Sequence, residues 1–550
     1  MGLLSFIGSP AVLILPTAVL LYFLALWILS SRRPPNFPPG PTPVPILGNV
    51  HQIPPTKPFI KFHEWAQAYG DIVGIKVGAE NYVILSSAEH VRELFEKRGA
   101  LYSDRPQPYI TSKLINPGTI LFMNNDPSIK KTRTALRNHL LGPAELGRVV
   151  PVQAAHAALL MRRILEDPGA FHTHLRHWAL ATPLSVVSGQ RVVEGEGRTA
   201  STGAYFATQD VWLRFLTPAQ APPVELFPVM KYLPAFAAGW KREAAALKAG
   251  MRRTMYHMLE GARAQAGEIA GGRRGRETES LMAGMIRDGG EAGGGETAVK
   301  GARFGDHELA VLGAGTLDAA VDTVIATTGT LVLIMGAYPE VQRRLQEEVD
   351  ALWPGEAPGF EDLDKAKYMR ACLTEAMRWR SAAPSGVPRV LAREDVYRGF
   401  TFPQGTTFLL NTYGIHKDER WYDRPDEFVP ERYLANPWGV RPAMAAAAAR
   451  DKRHATYNFG AGRRMCPGLE YAENQILMTM AKLAWEFTVV PAAAEGVGRL
   501  DTSIETGFHS DLVMGPERFE VDFVPRGEER RRAILEDAER AEKVVEAWVG

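Results

Sequence analysis

The feature that most limits what this chain can fold into is a long, mostly apolar segment without proline, Asp306 to Met335. Such a composition predicts a helix of about eight turns that is buried on all sides. Asp306 is a candidate cap at its start, and the helix must end before Tyr338-Pro339, because the residue before a proline avoids helical backbone. Asp318 and Asp322, four residues apart, place two carboxylates on one face.

Short β segments accompany the helical patterns that fill the chain from about residue 60 onward. The sequences IVGIKVG and NYVILSS, between Ile72 and Ser87, flank a turn at Ala79-Glu80 and predict a small sheet. The glycine-rich, charged stretch from Gly261 to Gly305 has little apolar content and predicts a surface loop. The predicted fold class is therefore mainly α with small β sheets.

An uncharged run from Ala11 to Leu29 has about the length that a helix needs to cross the ~30 Å core of a membrane. No basic residue precedes it and no small-residue cleavage site closes it, which favours an anchor over a cleaved signal peptide. Arg32 and Arg33 follow, and positive flanks stay in the cytosol. We therefore expect residues 1–31 to form a single-pass anchor with the body of the protein in the cytosol.

Two further segments stand apart in composition. Residues 32–58 are rich in proline, which predicts a stiff, extended arm between anchor and body; a disordered linker or a ligand for a proline-binding module is the alternative. Residues 526–550 are rich in Glu, Arg and Ala at helical spacing, which predicts an exposed, charged helical extension.

Charge and cysteine content exclude two classes of protein. The chain has 63 Lys and Arg against 62 Asp and Glu, so no global field recruits nucleic acid, and we expect no nucleic-acid partner. Two cysteines, Cys372 and Cys466, cannot form a disulfide framework, which is typical of a reducing compartment.

The second cysteine lies in a cluster of glycines and arginines, FGAGRRMCPG, from Phe459 to Gly468. Glycines let backbone N–H groups approach a sulfur atom, and these donors together with nearby cations stabilise a thiolate. A thiolate is a soft ligand that suits iron, and Phe459 is placed to shield such a bond from water. A buried, unreactive cysteine in a glycine-rich turn is the alternative.

These ten residues resemble the haem-binding signature of the cytochrome P-450 family, Phe-x-x-Gly-x-Arg-x-Cys-x-Gly, at every fixed position. The resemblance implies heme b (iron protoporphyrin IX) as cofactor, with the Cys466 thiolate as axial ligand and as the metal site. It also implies a set of haem-binding residues, in which the arginines match positions that pair with haem propionates: Arg133, Arg389, Phe459, Arg464 and Gly468. The tryptophan that the family has four residues before Arg133 is replaced by Ile129.

Two more motifs follow the order of that family. Glu375 and Arg378 match its helical Glu-x-x-Arg, and Arg432 ends a match to Phe-x-Pro-x-Arg. The resemblance implies that these three residues form a buried charge network that holds the cysteine loop. Glu340 and Arg343 have the same spacing, so an exposed helical ion pair is the alternative for an isolated match.

The central helix of the family carries Ala/Gly-Gly-x-Asp/Glu-Thr-Thr, whose acid and alcohol deliver protons for dioxygen cleavage. Residues 319–324 match it imperfectly, with Asp322 and Thr323 as the implied catalytic residues and Ala320 in place of the glycine. A competing frame, Gly313 to Asp318, keeps the glycines but breaks the spacing to Pro339. A purely structural polar pair, with the threonine bonded to a carbonyl one turn earlier, is a further alternative.

The resemblance extends from the proline-rich arm to about Pro525 and implies a cytochrome P-450 fold in one large catalytic domain, residues 59–525. The chain is similar to microsomal members of this family that act in fungal secondary metabolism. This similarity implies a monomer anchored in the endoplasmic reticulum. That type of enzyme oxidises a small hydrophobic substrate with electrons from NADPH, delivered by NADPH-cytochrome P-450 reductase with cytochrome b5 as a second candidate donor.

Two points stay open at this stage, the function and the surface that meets the reductase. A reductase-independent isomerase or dehydratase on the same scaffold, or a haem-binding membrane protein without turnover, is the alternative function. Five cations are candidates for a basic face toward the reductase, with ordinary solvated charges as the alternative: Lys130, Lys131, Arg137, Lys452 and Arg453.

Overall fold

The computed structural model describes residues 32–193, 201–288, 296–299, 302–493, 499–510 and 512–549, together with isolated positions between residues 17 and 29. The anchor predicted at residues 1–31 therefore lies almost entirely outside the described residues. Within them, one helix is long and apolar enough to cross a membrane, Asp306–Ala337, and 72% of its most apolar window is buried inside the protein. Burial of that extent is typical of a core helix.

Helices dominate the described residues. In chain order they are α1 (Pro58–Tyr69), α2 (Ala88–Val91), α3 (Pro127–Leu136), α4 (Pro143–Glu166), α5 (Phe171–Ser188), α6 (Thr202–Leu216), α7 (Gly239–Ala270), α8 (Leu281–Asp288), α9 (Asp306–Ala337), α10 (Pro339–Leu352), α11 (Lys367–Trp379), α12 (Thr412–His416), α13 (Glu431–Ala435), α14 (Ala445–Arg450), α15 (Leu469–Glu486) and α16 (Glu528–Val549).

The strands form one four-stranded sheet and several antiparallel pairs. The sheet has the order β1 (Ile72–Val77), β2 (Glu80–Leu85), β8 (Thr407–Leu410) and β5 (Arg389–Val390). The pairs are β3 (Glu296–Val299) with β4 (Ala302–Gly305), β6 (Asp395–Tyr397) with β7 (Phe400–Phe402), β9 (Phe487–Pro491) with β12 (Val521–Pro525), and β10 (Phe508–Ser510) with β11 (Met514–Pro516).

The predicted mainly α fold with small sheets is confirmed, and the register of the larger sheet positions one site residue. β1 and β2 are antiparallel with Gly74 opposite Val83, as expected around the turn at residues 79 and 80. β2 runs parallel to β8, and β5 pairs antiparallel with β8 so that Arg389 lies opposite Phe408. Arg389 is thereby fixed at the edge of the sheet.

The predicted central helix is α9, and its start differs from the expectation. Gly305 is the residue before the helix, and the Glu308 carboxylate accepts a hydrogen bond from its N–H at 3.1 Å. Asp306 is thus the first helical residue and not the cap. α9 packs against α5, α7 and α15, which explains why it lacks a polar side.

The prediction of a surface loop from Gly261 to Gly305 is wrong over much of that range. α7 continues to Ala270, and α8 buries Leu281, Met282 and Met285 against the core. The apolar sequence LMAGMI between the two glycine-rich runs accounts for this, because it supplies one buried helical face.

The two segments that flank the predicted catalytic domain both pack on it. In the proline-rich arm, the Pro39 carbonyl accepts a hydrogen bond from the Gly74 N–H at 2.8 Å. The expected C-terminal helix is present as α16, but its predicted exposure is wrong, because Ile534, Val545 and Trp548 are buried where α16 packs on α4. The divisions at residues 31, 58 and 525 stay predictions.

Candidate active site

The cysteine loop, residues 459–468, is closed by a hydrogen bond between the Cys466 N–H and the Phe459 carbonyl at 2.9 Å. Gly460 and Gly462 have φ values of 74° and 60°, the left-handed region that favours glycine. A β-carbon on Gly462 would overlap the carbonyl oxygen of Phe95. The two glycines therefore permit both the turn and its close approach to the neighbouring segment.

The Cys466 side chain keeps accessible surface, although the surrounding protein is dense enough that burial raises the pKa of its thiol. A hydrogen bond from the Gly468 backbone and the charge of Arg133 act in the opposite direction. The sulfur is therefore accessible but closely surrounded by protein. A metal ion bound there would remove the thiol proton outright.

Arg133, Arg389 and Arg464, the three arginines expected near the haem, converge beside this loop. The Arg133 Nη2 atom donates to the Met465 carbonyl at 2.9 Å, and the Arg389 Nη2 atom donates to the Ala461 carbonyl at 2.6 Å. The Arg464 Nε atom donates to the Ser103 carbonyl at 2.8 Å. All three therefore bind backbone of the cysteine loop or of its surroundings.

A fourth arginine, Arg105, joins them, and sequence reasoning missed it. Its Nη1 atom donates to the carbonyls of Val387 and Pro388 at 2.8 and 2.6 Å, next to Arg389. Burial lowers the pKa of Arg105 well below its ordinary value, and the charges of the other three arginines lower it further. Its only sequence signal is a position before proline, which fixes extended backbone.

The arginine cluster fits a group that carries carboxylates. None of the four arginines forms a salt bridge to an acid in the described part of the chain, and burial lowers the pKa of Arg389 to about 9. The Arg389 Nη1 atom is buried and has no hydrogen-bond partner among the described residues. Guanidinium groups bind carboxylates through paired N–H donors, so haem propionates match this donor set.

The three residues of the expected charge network lie together and are buried. The Arg378 Nε and Nη2 atoms donate to the two Glu375 carboxylate oxygens at 2.7 and 2.8 Å, and the Arg432 Nε atom donates to Glu375 at 3.1 Å. Arg378 also donates to the carbonyls of His416 and Pro425 at 3.0 and 2.8 Å. The network thus ties α11 to the end of α12, to α13 and to the chain between them.

On α9, the implied oxygen-site residues are both hydrogen-bonded within the protein. The Thr323 hydroxyl donates to the Ala319 carbonyl at 3.0 Å, which is the structural alternative considered for this threonine. The Asp322 carboxylate accepts from the Gln209 amide on α6 at 2.7 Å. Ala319 is exposed, and Asp318 and Ala320 beside it are half-buried, so this part of α9 is accessible.

Burial raises the pKa of Asp322 to about 6 and that of Asp318 to about 7. Asp318 accepts a hydrogen bond from the Tyr205 hydroxyl at 3.1 Å. In the competing frame, Gly313 packs on Met282, because a β-carbon there would overlap the Met282 sulfur. Helix packing accounts for that glycine, and the frame with Asp322 and Thr323 stays a prediction.

The prediction that five cations form a basic face is wrong in part. Arg453 is buried among the rings of Trp421, Tyr422 and Tyr457, with its guanidinium carbon 4.4 Å from the Trp421 ring centre. Lys131 pairs with Glu308 at 2.9 Å. The exposed cations that remain are Lys130, Arg137 and Lys452.

The sequence model of the cytochrome P-450 family matches residues 38–523. The chain belongs to the cytochrome P-450 family. Cytochrome P-450 monooxygenase grgG of a Penicillium species is 33% identical over 94% of this chain and 93% of its own length. A cytochrome P-450 monooxygenase of Arthrobotrys oligospora is 30% identical over 98% of this chain and 99% of its own.

A third relative, cytochrome P-450 monooxygenase patH of Aspergillus clavatus, is 29% identical over 97% of this chain and 98% of its own length. The predicted family is thus confirmed, and with it a haem-thiolate oxidising enzyme. The cytochrome P-450 fold agrees with the mainly helical architecture.

Proposed function

We propose that this cytochrome P-450 is a membrane-anchored monooxygenase that oxidises a small, mostly hydrophobic molecule of fungal secondary metabolism. The observation that carries the proposal is that an accessible cysteine lies beside four arginines, one buried and three half-buried, that form no salt bridge to a carboxylate among the described residues. The fungal relatives are named as monooxygenases, so the isomerase and the non-catalytic alternatives are not favoured.

In this proposal Cys466 holds the iron of a haem, and four arginines hold its propionates: Arg105, Arg133, Arg389 and Arg464. The bound haem supplies the activation of dioxygen and the transfer of one oxygen atom to the substrate. The protein orients the haem through these contacts and keeps water from the sulfur with Phe459. The network of Glu375, Arg378 and Arg432 fixes the chain that leads to the loop.

Asp322 and Thr323 are the proposed route for protons. The raised pKa of Asp322 keeps a fraction of its carboxyl protonated near neutral pH, so it can both hold and release a proton. Arg176 and Asp210 lie near Asp322 and are more exposed, which supports supply from solvent on the α6 side. To take part, the Thr323 hydroxyl must give up its hydrogen bond to the Ala319 carbonyl and donate to dioxygen instead.

We further propose residues 1–31 as a single-pass anchor in the endoplasmic reticulum, with a monomeric catalytic domain in the cytosol. NADPH-cytochrome P-450 reductase, with cytochrome b5 as a second donor, would supply electrons from NADPH. Lys130, Arg137 and Lys452 are exposed cations that suit an acidic partner. Protease protection of the N-terminus, but not of the body, in sealed microsomes is the result expected.

The deciding experiment is the spectrum of the full chain, expressed with ample haem precursor, reduced and exposed to carbon monoxide. A thiolate-ligated haem gives a red-shifted Soret band, which Cys466→Ala must abolish and Cys372→Ala, at the buried second cysteine, must keep. Reconstitution with a reductase in vesicles must then give a product that depends on NADPH and dioxygen. A folded but colourless wild-type protein would overturn the proposal.

A further inference from the structure

His416 ends α12 and is completely buried between the charge network and the cysteine loop. Its backbone carbonyl accepts a hydrogen bond from the Arg378 Nη1 atom at 3.0 Å. Its ring Nε2 atom accepts a hydrogen bond from the Tyr457 N–H at 2.9 Å. Tyr457 is two residues before the loop, and its carbonyl accepts from the Gly460 N–H at 2.9 Å. One residue therefore connects the two parts of the site.

The bond to Tyr457 fixes the protonation of the imidazole. A backbone N–H can only donate, so Nε2 must carry a lone pair, and the ring proton is on Nδ1. Nδ1 is buried and has no hydrogen-bond partner in the described part of the chain. Burial lowers the pKa of His416 well below its ordinary value, and the charges of Arg378, Arg453 and Lys417 act in the same direction. The ring is therefore neutral and serves only as an acceptor.

We propose that the imidazole of His416 is a positioning residue for the iron ligand, because it holds the backbone of Tyr457 and thereby the loop that presents Cys466. The inference rests on the proposed function of Cys466. It adds a side-chain link that neither the cysteine signature nor the Glu-x-x-Arg motif contains.

Two other side chains make contacts at this end of the loop. The Ser381 hydroxyl donates to the Asn458 side chain at 2.6 Å, and the Thr456 hydroxyl lies 3.4 Å from the same Nε2 atom of His416. A buried N–H that loses its acceptor disfavours the arrangement that buries it by roughly ten-fold to a hundred-fold. Without the imidazole, the loop conformation that directs the Cys466 sulfur at the iron is therefore less populated relative to other loop conformations.

The test compares His416→Gln with His416→Asn in the haem-loaded full chain. The two amides differ by one methylene: the glutamine oxygen reaches the place of Nε2, whereas the asparagine oxygen reaches only the place of Nδ1. Both variants keep the backbone carbonyl that binds Arg378. The matched control is His156→Asn, which removes another buried imidazole. His156 lies on α4 and is hydrogen-bonded to Ser185 on α5 at 3.0 Å.

The readout is the Soret band of the ferrous carbon monoxide complex, followed with temperature beside the far-ultraviolet circular dichroism. We expect His416→Asn to lose the thiolate band while its helices are intact, with roughly ten-fold less thiolate-ligated haem than the wild type. His416→Gln and His156→Asn should lose the band only when their helices melt.

Two results would overturn the inference: an asparagine variant that keeps the band as the wild type does, or a glutamine variant that loses it as readily as the asparagine variant or fails to fold. A wild-type protein that binds haem without a thiolate band would instead overturn the proposed function of Cys466, so the two failures are distinguishable.

Discussion

Gly462 and Phe95 are in such close contact that no side chain fits between them. The glycine has a φ of 60°, and a β-carbon on it would overlap the Phe95 carbonyl oxygen. The helical turn that contains Phe95 therefore packs directly against the backbone of the cysteine loop.

Replacement of Gly462 by alanine should displace this loop and weaken haem binding roughly ten-fold or more, because backbone overlap adds to the strain of a positive φ. Gly399 is a matched control, since its φ is 81° but no atom of the described chain lies within 4 Å of the place that its β-carbon would take. Gly399→Ala should cost only about 1 kcal/mol of strain and leave haem binding unchanged. Haem titration measures the affinity for haem, and thermal unfolding measures the stability of each variant. Equal effects of the two substitutions would show that the contact between Gly462 and Phe95 is not the cause.

Removing the charge of Glu375 should release the haem. Glu375→Gln leaves Arg378 buried without its counter-charge, which typically costs ~3 to 5 kcal/mol. Glu340→Gln is the control, because Glu340 and Arg343 have the same spacing on the exposed side of α10. Chemical unfolding and haem content per protein are the measurements. Normal haem content in Glu375→Gln would show that the network is dispensable.

Arg389 should affect the haem-free and the haem-loaded protein in opposite directions. In the haem-free protein it is a buried cation beside Arg464 with a pKa lowered to about 9 by burial and by that neighbour. Arg389→Met should therefore stabilise the haem-free protein by about 1 kcal/mol and weaken haem binding by about ten-fold. Arg393→Met, at an exposed position, should change neither quantity. Effects of the same sign in both forms would refute the propionate role.

Glu486 should make stability fall as pH rises. It is fully buried on α15, neither of its carboxylate oxygens has a hydrogen bond to any residue that the structure describes, and burial raises its pKa from 4.5 to about 8. The unfolded chain ionises first, so the stabilisation is complete below pH 4.5 and is lost as pH rises through about 8.

Glu486→Gln cannot ionise, so its unfolding free energy at pH 8 should exceed that of the wild type by roughly 2 to 4 kcal/mol. The difference should shrink toward pH 5. Denaturant unfolding across this range is the measurement, and Glu470→Gln, exposed on the same helix, controls for the loss of a charge. A difference that does not depend on pH would contradict the assignment.

Short motifs were readable from the sequence because consecutive residues carry their own geometry. The loop around Cys466 needs glycines at fixed places, and the pair Glu375 and Arg378 meets because three residues make most of a helical turn. Ile534 shows the limit of such patterns. Its spacing indicates an apolar helical stripe, but only the packing of α16 on α4 reveals that the stripe is covered.

Local spacing and apolar runs were enough to identify the family and the helical, sheet-poor class, and they predict Cys466 as the iron ligand. Tertiary structure alone decided that Arg105 joins Arg389, that Arg453 lies among aromatic rings, and that His416 bridges the charge network to the loop. Each of these contacts joins segments far apart in the chain. Their energies come from burial and from charge at short distance, and neither quantity exists until the chain has folded.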